Sequence, residues 1–153
     1  MVFLEQTLKV LTQSGWFIGR EIDISETNKM LKTRGFDVFP CVEQLLREFG
    51  ELEYSYLKLD GKVESFHFKP KLVLGDIMER EDYSEFEYWF NEPLVVIGEA
   101  YRRNMNMFMS ESGKVYGEYG GYQLFKFGEN IYEALEALCQ PKPIEEIKNP
   151  SLP

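Results

Sequence analysis

Asp60-Gly61 sits between two alternating runs, Glu53–Leu59 and Lys62–Phe68, and commits the middle of this chain to an antiparallel hairpin. A two-residue Asp-Gly turn places both central residues at positive φ, and its twist matches that of the strands it joins. With that turn, Leu57, Leu59, Phe66 and Phe68 share one face, predicted to be core. Tyr54, Tyr56, Lys58, Val63, Ser65 and His67 share the other, predicted to face solvent or a partner.

Helical patterns flank the hairpin. Phe3, Leu4, Leu8 and Leu11 recur on one face of a first helix, about Phe3–Gln13, which Gly15 closes. Trp16 and Phe17 are expected to fold back as an apolar plug. Asp23 with Glu26, or Ser25 itself, caps a second helix over Ser25–Arg34, closed by Gly35. Pro40 suits the first turn of a third, Pro40–Phe49, whose Val42, Leu45, Leu46 and Phe49 form a core stripe closed by Gly50.

Beyond Pro70 the chain turns acidic and aromatic. Asp82-x-x-Glu85 reads as a capping box for a short helix ending near Asn91, before Pro93. Tyr83, Phe86, Trp89 and Phe90 are expected inside, with Glu81, Glu85, Tyr88 and Glu92 outside. Strands follow over Leu94–Tyr101, across the alternating Met105, Met107 and Met109, over Lys114–Tyr119 and over Tyr122–Phe127. The methionine row reads as a core strand, with an adaptable binding surface as the alternative, and Gly117 to Gly121 as a bulge or hairpin turn. Ile131, Ala134, Leu135 and Leu138 mark a last helix, about Asn130–Cys139. The expected fold is therefore α+β: one domain over 1–140, an antiparallel sheet of five to six strands covered by N-terminal helices and a C-terminal helix. A proline-rich tail, 141–153, is expected to fray.

The chain has 153 residues, 44% hydrophobic and 15% aromatic, which is enough for a core and rules out a disordered tail protein. No apolar run approaches the roughly 20 residues of a membrane span, and no secretory signal is legible. Two cysteines, Cys41 and Cys139, do not make a disulfide framework and fit reduced thiols in a cytoplasmic protein.

Seventeen basic against twenty-six acidic residues give a net charge of −9, unsuited to direct phosphate or nucleic-acid binding. The acidity is local. Asp76, Glu79, Glu81, Asp82, Glu85, Glu87 and Glu92 face only Arg80 between positions 76 and 92, whereas the first fifty residues hold seven acids and six bases. Such a run reads as a solvated face or as a docking surface for a basic protein.

Catalytic signals are sparse. His67 is the only histidine, and no Cys or His pair has metal-ligand spacing. The acidic run offers neither burial nor a cleft for paired-carboxylate hydrolysis. The Gly117–Gly121 stretch lacks the lysine and the strand–loop–helix context of a phosphate loop. No catalytic residue, metal or cofactor is predicted.

Several stretches, taken in order, resemble the third branch of the SUKH superfamily of bacterial immunity proteins. They are Gly15-Trp16 with Gly19-Arg20 and Ile22-Asp23-Ile24; Phe49-Gly50-Glu51-Leu52; Phe66-His67-Phe68-Lys69-Pro70; Glu111-Ser112-Gly113-Lys114-Val115-Tyr116-Gly117; and Phe127-Gly128-Glu129-Asn130-Ile131-Tyr132-Glu133-Ala134-Leu135-Glu136. They span about residues 4 to 139. Two positions depart: Glu51 stands where the family tends to repeat glycine, and Lys69 where it tends to carry an acid before proline. The resemblance implies a cytoplasmic antidote that binds and silences a polymorphic toxin, commonly a nuclease. The alternative it leaves is a protein-interaction module with no toxin. The residues expected to meet a basic protein partner are Asp76, Glu79, Glu81, Asp82, Glu85, Glu87, Tyr88 and Glu92, with Tyr54 and Tyr56 as aromatic anchors. Oligomeric state is not legible.

Overall fold

A computed structural model describes residues 3–140 and 143–153. Three helices come first: α1 (Glu5–Gln13), α2 (Ser25–Thr33) and α3 (Pro40–Phe49). The hairpin β1 (Glu53–Leu57) and β2 (Val63–His67) follows, then α4 (Pro70–Leu74), a 3-10 turn (Arg80–Tyr83) and α5 (Ser84–Phe90). Four strands come next: β3 (Leu94–Ala100), β4 (Met105–Ser110), β5 (Val115–Tyr119) and β6 (Gln123–Gly128). The described chain closes with α6 (Ile131–Cys139) and β7 (Glu145–Ile147).

All neighbouring strands are antiparallel, and their order in the sheet is their order in the chain. The α+β architecture matches expectation, with seven strands among the described residues rather than five or six. The extra strand is β7, formed where fraying was expected. Leu124, Phe125 and Lys126 offer a free edge that Ile147, Glu146 and Glu145 pair with in turn. Positions 141 and 142 of the tail lie outside the described residues.

The local signals explain the helix ends. Gly15, at φ +110, closes α1 with two bonds: its own N–H to Thr12 O at 3.2 Å, and Trp16 N–H to Leu11 O at 3.0 Å. Trp16 then stacks on Phe49, ring centres 5.7 Å apart. Phe17 does not join the plug; it is exposed. The inner face of α1 also differs from expectation: Thr7, Val10 and Leu11 are buried, while Leu4 and Leu8 are exposed. Thr7 can be buried because its hydroxyl accepts a bond from Gln140 Nε2 at 3.1 Å. At α2, Asp23 Oδ1 accepts the Ser25 N–H at 2.9 Å, so the turn is made within Asp23–Ser25 rather than through Glu26.

The hairpin register corrects the sequence reading. Leu57 pairs with Val63 and Tyr56 with Glu64. The loop is one residue longer than a two-residue turn: Lys58 N–H bonds Lys62 O at 2.9 Å, and Leu59-Asp60-Gly61 lie between them. Gly61 takes the left-handed position at φ +84, and Asp60 Oδ1 accepts the Lys62 N–H at 2.9 Å. A slip of one residue exchanges the faces of one strand. Tyr54 is therefore fully buried and stacked on Phe66 at 5.0 Å, while Leu57 is 68% and Leu59 101% exposed. Phe66 and Phe68 are core as expected, and Val63 is exposed.

Helices cover both faces of the sheet. On one, the Tyr54 hydroxyl donates to Phe49 O at 2.7 Å and the Tyr56 hydroxyl to Leu138 O at 2.9 Å, tying β1 to α3 and α6. Met105, Met107 and Met109 lie buried on that face, as the core-strand reading expected. On the other face, Phe108 of β4 receives the aromatic side chains of the 3-10 turn and α5. Val42, Leu45, Leu46, Phe49, Leu135 and Leu138 are buried as their helical spacing predicted.

Candidate functional site: the acidic face of the fifth helix

The acidic run folds as a short bracket over the sheet. Its cap lies one turn earlier than expected. Glu79 and Asp82 cap each other across the 3-10 turn, with the Glu79 N–H on Asp82 Oδ2 at 2.8 Å, in place of an Asp82–Glu85 box. Asn91, at φ +58, ends α5. The inner face is aromatic: Tyr83, Phe86 and Phe90 meet Phe108 at 5.8, 5.5 and 6.4 Å, and Phe90 stacks on Tyr116 at 4.3 Å. Trp89 packs half-buried, edge-on to Phe86. This packing turns the opposite side of α5 to water.

The seven acids then sort by what each one holds. Glu87 is committed to the fold: Arg80 grips it through Nε and Nη2, both at 3.1 Å, and Glu87 also accepts the Leu94 N–H at 2.8 Å. That hydrogen bond to Glu87 is the leading reason the Arg80 guanidinium is held more firmly protonated than usual. Glu92, expected on the outer face, is partly buried instead and accepts the Tyr116 hydroxyl, with Lys114 Nζ at 3.9 Å. Burial first, and then Glu92, push the Tyr116 phenol up. Glu79 and Asp82 serve as caps while remaining exposed, and Asp76 pairs on the surface with Lys71 at 3.1 Å. Glu81 and Glu85 are exposed and make no ion pair among the described residues. Beside them Tyr88 is 77% exposed. The face that reaches solvent is therefore Glu81, Glu85 and Tyr88, rimmed by Asp76, Glu79 and Asp82.

The two hairpin tyrosines do not extend that face. Tyr54 is enclosed in the core, and Tyr56 is half-buried with its phenol pushed up to about 12 by burial. Reading them as outer-face anchors is overturned by the one-residue register shift.

A second polar constellation was not foreseen. His67 Nε2 lies 2.8 Å from Glu99 Oε1, and His67 Nδ1 accepts the Lys69 N–H at 3.0 Å, which assigns the hydrogen to Nε2. Arg103 Nε donates to the same Glu99 oxygen at 2.9 Å. Further along the same face, Asn106 donates to Glu118 at 2.7 Å. His67, Glu99, Asn106 and Glu118 are cross-strand neighbours in register. The available signal was an acid in an otherwise apolar strand, Leu94–Ala100, opposite the sole histidine. Both imidazole nitrogens are occupied, so the group braces the sheet, and the imidazole has no free nitrogen to act as a base. Among the described residues no three His, Cys, Asp or Glu side chains are set to hold a metal. Burial raises both thiols, that of Cys139 to about 12, which keeps them protonated.

The chain matches the SUKH-3 immunity protein family over residues 3–141 and belongs to that family. Membership carries an immunity function, the neutralisation of a toxin by a protein that binds it. Neither a curated protein nor a solved structure matches the chain. No helix among the described residues is long and apolar enough to cross a membrane.

Proposed function

We propose that this protein is the cytoplasmic antidote of one cognate polymorphic toxin, a nuclease with a basic active surface, silenced by stoichiometric binding. The acidic face of α5 is the docking surface. Glu81 and Glu85 carry the reading: they are exposed, lie four residues apart across the junction of the 3-10 turn and α5, and make no ion pair among the described residues. A nuclease must present cations to phosphate, and unpaired carboxylates attract those cations at long range, which speeds encounter. Tyr88 supplies the aromatic anchor among them, and anchors of this type carry most of an interface's energy. Glu87 and Glu92 hold the bracket in shape from beneath.

The test is co-expression with the toxin gene neighbouring this one, scored for growth and for co-purification of a one-to-one complex. Rescue by the native chain and failure of a Glu81→Lys/Glu85→Lys/Tyr88→Ala variant that still folds is the expected result. Rescue by both moves the interface off α5. Absence of any rescue or complex leaves the toxin-free interaction module as the better reading.

A further inference from the structure

The tail beyond the family's common core points to a second recognition surface. The family match stops at residue 141, and β7 lies after it, paired along the edge of β6. Without β7, the N–H and C=O groups along that side of Leu124, Phe125 and Lys126 would be open to a new strand. At the opposite edge of the sheet, β1 is partly closed by α1, where Ser14 Oγ accepts the Ser55 N–H at 3.4 Å. The two edges are thus managed differently: one by a helix that belongs to the core, the other by a three-residue strand.

We infer that the β6 edge is a strand-acceptor site, filled in cis by the tail, and that it takes in trans an extended segment of another protein, not of a second copy of this chain, with the tail's own pattern of acid, any, aliphatic, any, asparagine. The cis occupant displays the chemistry of recognition. Glu145 lies opposite Lys126, and Ile147 lies opposite Leu124, which is fully buried. Asn149 is the buried side chain of 143–153: its Nδ2 donates to Tyr122 O at 2.7 Å, and its Oδ1 accepts the Ser151 N–H at 2.9 Å and the Ser151 hydroxyl at 2.8 Å. This hook satisfies the carbonyl of the β5–β6 turn and sets the register of the strand before it. Main-chain pairing supplies affinity in such additions, and alternate side chains supply selectivity.

The hold is also built to be exchanged. Glu145 and Glu146 are exposed, Ile144 and Ile147 are only partly buried, and no aromatic residue anchors the segment. Elements with so few buried contacts open locally without global unfolding. A tethered strand competes at an effective concentration on the order of millimolar, so a free segment gains access mainly when the tail's contacts are weakened. This site lies apart from α5 and stands or falls independently of the toxin interface.

The experiment uses the full chain and a fluorescent synthetic peptide of residues 143–153. Binding is read by anisotropy on the native protein and on Ile147→Ser/Asn149→Ala, with hydrogen exchange of the β6 amides followed in parallel and near-ultraviolet circular dichroism confirming the fold. We expect faster exchange at 123–126 in the variant, peptide affinity at least about tenfold above that for native protein, and renewed protection when peptide is added. A peptide carrying Glu145→Lys should bind several-fold more weakly. Unchanged β6 exchange in the variant would show that the tail is not separable. Faster exchange with no peptide binding would show an open edge that accepts nothing. A tail-swapped dimer that the peptide dissociates would assign the site to a second copy of this chain. Each of these three results overturns the proposal.

Discussion

His67 donates its Nε2 hydrogen to Glu99 Oε1 at 2.8 Å, and both side chains are buried between β2 and β3. The same carboxylate oxygen takes Arg103, and the second imidazole nitrogen takes the Lys69 N–H. A proton added to His67 would therefore land on Nδ1, the atom already accepting a backbone hydrogen. Burial is the main cause that holds its pKa below the ordinary histidine value, against the opposing pull of Glu99.

The sign follows from linkage. With the folded pKa depressed, the unfolded chain binds the extra proton first as pH falls. Stability is thus full above the unfolded value of about 6.5 and declines as pH falls from there toward the folded pKa, by at most about 1.4 kcal/mol per pH unit for one group. Urea unfolding at pH 7.5 and pH 5.5 should show a lower midpoint in acid, and His67→Gln should shrink the difference. An equal drop in both proteins would place the acid sensitivity elsewhere.

Glu51 occupies the left-handed region at φ +66, immediately after α3. A side chain there costs about 1–2 kcal/mol relative to glycine. It makes no hydrogen bond or ion pair among the described residues, so no contact offsets that cost. Glu51→Gly should accordingly raise stability by about 1 kcal/mol, measured by the denaturant midpoint at constant m-value. Glu51 is thus a left-handed, non-glycine residue at the start of the connection from α3 to β1.

Three substitutions separate the observed hairpin register from the two-residue alternative. Tyr54→Ala should cost about 3–5 kcal/mol through lost packing. Tyr54→Phe should cost about 1–2 kcal/mol, because Phe49 O loses its donor in a dry site. Leu59→Lys should change stability by less than about 0.5 kcal/mol, since the side chain is already in water. Thermal and urea unfolding would measure all three, and the two-residue register would reverse the order of Leu59 and Tyr54.

At the proposed toxin interface, Glu81→Lys with Glu85→Lys should slow association, by about tenfold at low salt, with much less effect on dissociation. Tyr88→Ala should act on dissociation instead, by on the order of 2 kcal/mol. Association kinetics at two salt concentrations read both effects. Glu92→Lys belongs in a separate class: it removes the acceptor of the Tyr116 hydroxyl and should lower stability before it alters any contact rate.

Helix positions were the most legible part of this chain. Pro40 and the Val42–Phe49 stripe gave the bounds of α3, because a fixed φ at the first turn and a 3.6-residue period are local properties. The faces of β1 were not legible. They depend on whether one more residue enters a turn, and Asp60-Gly61 suits a two-residue loop and a three-residue loop with glycine last equally well. At the acidic face, the exposure of Glu81, Glu85 and Tyr88 followed from helical spacing. The diversion of Glu87 to Arg80 and Glu92 to Tyr116 did not, since the first depends on how the 3-10 turn folds back along α5 and the second on which strand passes nearby. Tail pairing was hidden for a related reason: three residues between prolines carry almost no strand signal until an edge is placed beside them.

The order of the strands bears on how the molecule is made. Each strand pairs with the one synthesised just before it, so the sheet can grow in step with translation and little long-range searching is required. Contacts with α6 are an exception, and α1 shows it. Leu4 N–H reaches Glu136, and Phe3 packs on Tyr132, both in α6, so α1 gains these last contacts only after α6 has left the ribosome. α1 emerges ahead of the sheet but is secured after it, and a chain stalled before residue 131 should carry a folding sheet with α1 still unclasped.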